Sequence, residues 1–79
     1  MTDNNVLLWY AHELDKAMTD IFISGWQFST VIIQLARLLG ILDTLYERDE
    51  ISEKTYNERK EELNRVYNTY YEKHNSVRR

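Results

Sequence analysis

In the first third of the chain, apolar residues return every three or four positions: Leu7, Tyr10, Leu14, Ala17 or Met18, and Ile21. This spacing places them on one stripe of an α-helix. Glu13, Asp15, Lys16 and Asp20 take the other positions. The pattern predicts a helix over about residues 5–20, with Thr2, Asp3, Asn4 or Asn5 as its cap. A second series, Phe28, Val31 or Ile32, Leu35, Leu38 or Leu39, Leu42 and Leu45, keeps helical spacing for 18 residues and predicts a helix over about 26–46. Ile33, Ala36 and Ile41 lie beside that stripe. A helix wet on one narrow side is a central helix, packed by two neighbours or by another chain. Tyr56, Leu63, Val66 or Tyr67, Tyr70 and His74 or Val77 define a third stripe, over about 53–74. Residues 75–79 then form a frayed basic tail.

The joints are less uniform. Ser24-Gly25 is the first candidate break, and residues 21–33 are rich in β-branched and aromatic types that also suit a hairpin about that pair. Strand alternation fails after Ile33, which favours the helix. Gly40, inside the second helix, costs about 1 kcal/mol relative to Ala and marks a kink or a close helix crossing. Residues 47–51 form the second bend. Ser52 suits the N-cap of the last helix, because its hydroxyl can take a backbone N–H that the first turn leaves unpaired. Ile51 before it and Tyr56 four residues after it are spaced for a hydrophobic staple. Glu53 sits where the helix dipole favours an acid.

The run Leu42-x-x-Leu45-Tyr46, Ile51-Ser52-Glu53-Lys54-Thr55-Tyr56 and Arg59-Lys60-x-x-Leu63 resembles the short C-terminal domain family called SHOCT. The resemblance covers about residues 42–63. Asp49 stands where the family tends to have Gly, and Thr55 where it tends to have Glu. The resemblance implies a helical hairpin with a role in oligomerisation and no defined biochemical activity.

Composition narrows the function classes. Seventy-nine residues make one domain, residues 1–79. A chain this short buries only roughly 60% of its unfolded surface, and small chains without staples often gain stability by associating. Cys is absent, so disulfides and thiolate metal sites are excluded, and a reducing, cytoplasmic setting suits the chain. The net charge of −3, from 13 acids and 10 bases, argues against tight sequence-independent nucleic-acid binding. Asp43, Glu47, Asp49, Glu50 and Glu53 make the second bend acidic, while Arg65, Lys73, Arg78 and Arg79 make the end basic. Residues 21–42 are long enough to span a bilayer and carry one charge, Arg37. Ser24, Gly25, Gln27, Ser29, Thr30, Gln34 and Gly40 oppose that reading.

Candidate chemistry is sparse. His12-Glu13 lacks the second His four residues on that a zinc protease helix needs, since Lys16 stands there. The acidic bend lacks the alternating ligands and central Gly of a calcium loop. No phosphate-binding glycine loop or recognisable nucleophile motif occurs. The sequence therefore predicts an all-α protein: a three-helix arrangement, helical hairpin plus N-terminal helix, completed into a bundle by dimerisation. It predicts no catalytic, cofactor or metal site.

The expected function is that of a small protein-binding module, a regulator, inhibitor or adaptor with the composition common among small phage and mobile-element proteins. Phe28, Ile32, Ile33, Leu35, Leu39 and Leu42 are the candidate homodimer surface. Tyr67, Tyr70, Tyr71, His74 and Arg78 are the candidate partner contact, because aromatics and Arg are enriched at interface centres. One alternative is a DNA-associated helix-turn-helix regulator using Lys54, Asn57, Arg59 and Lys60, opposed by Glu53, Glu58, Glu61 and Glu62. The other is a small membrane-associated protein using residues 21–42.

Overall fold

The apolar stripes fold into three helices, α1 (Asp3–Ile23), α2 (Phe28–Glu47) and α3 (Glu53–Arg78), with no strand among the described residues. The computed structural model describes residues 3–78, and the side chains of residues 5–73. The hairpin reading of residues 21–33 is thus replaced by two helices and a turn. Residue 2, the expected cap nearest the start of α1, lies outside the described residues. α3 continues through residues 75–78, where the sequence suggested a frayed tail, and Arg79 lies outside the described residues.

Both joints end the preceding helix in the same way. After α1 the Trp26 amide donates to the Ile21 carbonyl (2.9 Å) and the Gly25 amide to Phe22 (3.0 Å). After α2 the Glu50 amide donates to Leu45 (2.9 Å) and the Asp49 amide to Tyr46 (3.1 Å). Each pair satisfies carbonyls that a helix C-terminus leaves free, and each needs a left-handed residue just past the cap. Gly25 meets that need freely at φ 71°. Trp26 is also left-handed (φ 61°), so α2 starts only at Phe28, after an extended Gln27, and not at residue 26. Asp49 takes the second left-handed position, at φ 59°.

Aspartate tolerates that region better than most residues but less well than Gly. Asp49→Gly is expected to stabilise the fold by about 0.5–1 kcal/mol and to raise the thermal midpoint by roughly 3–6 °C. A lowered midpoint in a circular-dichroism melt contradicts this.

At the start of α3, the Thr55 amide donates to Ser52 Oγ (3.1 Å) and the Tyr56 amide to the Ser52 carbonyl (2.9 Å), so Ser52 is the N-cap the sequence indicated. Ile51 is buried, and Tyr56 packs against the same apolar cluster. Ser52→Ala should cost about 1 kcal/mol, read as a lower urea midpoint with an unchanged slope.

α2 is the central element, with α1 and α3 both packed on it. One core cluster joins Tyr10 and Ala17 of α1, Leu38, Leu42 and Leu45 of α2, Ile51 of the bend and Leu63 of α3. A second joins Ile21, Val31 and Tyr70, with Met18, Trp26 and Val66 against it. Leu35 packs against both. The molecule is elongated, 48 × 21 × 16 Å.

Candidate protein-contact surface

α1 lies over one side of the α2–α3 pair. Val31, Leu38, Leu42 and Leu45 of α2 point into the core. On an ideal helix the opposite strip is centred near Ala36, and that strip is apolar. Ile32, Ile33, Ala36, Leu39 and Gly40 are all exposed there, Ile33 at 62%. Between this strip and α3 runs an open groove of about 280 Å³ lined by Ile32, Leu35, Ala36, Leu39, Leu63 and Tyr67, with Lys60 and Asn64 on the α3 side. Phe28, 52% exposed, stands at the N-terminal end of α2, its ring 5.6 Å from that of Tyr70. Tyr67 lies 6.0 Å from the same Tyr70 ring.

The residues expected at a self-association surface therefore divide. Phe28, Ile32, Ile33 and Leu39 are exposed. Leu42 is fully buried inside the chain, and Leu35 is largely taken up by both core clusters, because α1 and α3 converge on that side of α2. The residues expected at a partner contact divide as well. Tyr67 and Tyr71 are exposed, whereas Tyr70 is a core residue at 8% exposure, packed on Ile21 and Val31, and is not available to a partner. The side chains of His74 and Arg78 lie outside the described residues. His12 is exposed, and no three His, Asp or Glu side chains gather into a metal-binding group among the described residues. Lys54, Asn57 and Lys60 share one open depression with Glu58, Glu61 and Asn64, so carboxylates interleave the basic groups that a nucleic acid would need.

Periodicity does not reveal how the helices are held in register. Arg37, the one charge in the long apolar run, donates through Nη1 to Glu13 Oε1 of α1 at 2.9 Å. Its Nε and Nη2 donate to Gln34 Oε1 (3.2 Å each), and Gln34 Nε2 donates to Asp20 Oδ2 (3.4 Å). This ladder fixes α1 along α2, and Lys16 also reaches Glu13 at 3.6 Å. At the bend, the Tyr56 hydroxyl donates to Asp43, the Tyr46 and Tyr56 rings stack at 4.6 Å, and Lys60 Nζ lies 5.2 Å over the Tyr56 ring. At the other end, Lys73 Nζ lies 5.4 Å over the Trp26 ring. Tyr10 is buried with its hydroxyl unpartnered among the described residues. Burial, reinforced by the charge of Glu62 and opposed by Arg59, pushes its pKa up to about 12.

The Arg37 hydrogen bond, helped by Lys16, holds the Glu13 carboxyl below its ordinary value of 4.5. A carboxylate whose pKa is lower in the folded state adds stability above the unfolded value and loses it as the pH falls through the folded one. Stability should therefore decline as the pH drops below about 4.5, and Glu13→Gln should flatten that decline while weakening the fold near neutrality. Urea midpoints at pH 7, 4.5 and 3 decide the point, and identical pH profiles for the two proteins contradict it.

No family model matches the chain, and neither does any curated protein or solved structure.

Proposed function

We propose that this chain is a small, non-enzymatic helical module that acts by protein–protein contact, presenting the outer face of α2 and α3. The observation that carries the reading is the groove of Ile32, Ala36, Leu39 and Tyr67, flanked by exposed Ile33 and Phe28 and left uncovered by α1. Contiguous exposed apolar surface of this kind marks an interaction site in soluble proteins. Lys60 and Asn64 give it the polar rim that surrounds an apolar interface centre. A module of this form regulates, inhibits or bridges by occupying a complementary surface.

The test is a photo-reactive phenylalanine analogue placed at Ile33 or at Glu58 and irradiated in the cell of origin. Adducts of discrete protein mass at position 33 and none at 58 support the reading. Equal labelling, or no protein adduct at 33, overturns it.

One observation favours a second reading. α2 is long and apolar enough to cross a membrane, by length and composition only. Crossing would strip Val31, Leu38, Leu42 and Leu45 from their contacts with α1 and α3. Recovery of the untagged protein entirely in the high-speed supernatant removes this alternative, and recovery with the membrane fraction favours it.

A further inference from the structure

We infer that the occupant of the outer face of α2 is a second copy of this chain, laid antiparallel across a two-fold axis at Ala36. This inference rests on the protein-contact reading above and names its partner. Two observations carry it.

The first is area. A folded monomer of 9.6 kDa is expected to expose roughly 5,100 Å², whereas this chain exposes 5686 Å². The excess is about 600 Å², and a standard interface buries about 800 Å² per partner. The elongated body, 48 Å along its long axis and 21 × 16 Å across, offers a side long enough for an interface of that size.

The second is the register of the face. Around Ala36 lie Ile32 and Gly40, four residues to either side, and Ile33 and Leu39, three to either side. Ile32 and Leu39 flank Ala36 on the α3 side, with Ile33 and Gly40 on the other. A two-fold axis through Ala36 brings Ile32 of one copy onto Leu39 of the other, and Ile33 onto Gly40. Apolar then meets apolar beside the groove, and a large side chain meets a glycine opposite. None of the five positions is charged, and Arg37 beside them is already paired with Glu13 of its own chain.

Gly40 gains a purpose by this arrangement. Nothing lies within 4 Å of where its Cβ would stand, and its backbone is not left-handed, so the fold of one chain does not call for glycine there. Mid-helix glycine costs about 1 kcal/mol relative to Ala. Its bare backbone instead admits Ile33 of the partner copy at close range.

The chain has no cysteine, so single cysteines report the arrangement directly. Purified Ala36→Cys and Asn57→Cys, both at exposed helical positions, are oxidised at equal concentration. The expected result is a disulfide-linked dimer forming at least tenfold faster for Ala36→Cys. Adding Ile33→Glu should bring it down to the Asn57→Cys rate. Equal rates for the two single variants overturn the second-copy assignment. Equal rates together with a foreign-protein adduct at position 33 in the cell leave the contact reading standing with a different occupant. Equal rates with no adduct remove both.

Discussion

Leu38→Ala is expected to unfold most of the protein at room temperature. Leu38 is fully buried in the middle of α2, within the cluster that joins all three helices. Truncating a buried leucine costs about 2.7–5 kcal/mol, because transfer energy is lost and the surroundings close only partly over the gap. A single core in a chain below about 80 residues rarely supplies more than about 3–5 kcal/mol. The substitution therefore removes most of the margin. The helical signal should fall sharply at 25 °C, or the thermal midpoint should drop by roughly 12 °C or more. A drop under about 5 °C contradicts the central place given to α2.

Ile33→Glu is expected to leave the fold intact and abolish pairing. Ile33 is 62% exposed in one chain, so a carboxylate there stays hydrated and the single chain loses little. In the paired state it faces Gly40 of the other copy, and the nearest cation, Arg37 one turn on, is already held by Glu13 of α1. An unpaired buried charge costs about 3–5 kcal/mol, and two-fold symmetry introduces it twice. The dimer should loosen by more than about a hundredfold. Loss of helicity in Ile33→Glu at micromolar concentration would show that the position belongs to the core of the single chain.

Much of the fold is legible in the sequence, for local reasons. The stripe from Leu7 to Ile21 is the core stripe of α1. Ser52 caps α3 because a serine directly before a helix-favouring run can accept, through its hydroxyl, an amide that the first turn leaves unpaired. Gly25 breaks the chain because it enters the left-handed region freely. What periodicity cannot supply is the side of α2 that each neighbour takes. Leu42 and Ile33 both fit a broad apolar helix, and only the approach of α1 and α3 buries the first and leaves the second bare.

The same limit hid Tyr70. Its place in the stripe allowed either core or surface, and contact with Ile21 and Val31 decided for core. Arg37 looked like an anomaly in an apolar run because its partner Glu13 is 24 residues away. The delayed start of α2 was hidden too, since a left-handed Trp26 is rare enough that no pattern suggests it.

Equilibrium sedimentation of the unmodified chain at tens of micromolar shows whether a second copy fills the outer face of α2. The expected mass is twice 9.6 kDa for the wild type and the single-chain mass for Ile33→Glu. A wild-type protein that sediments as a clean 9.6 kDa species at that concentration would contradict that pairing.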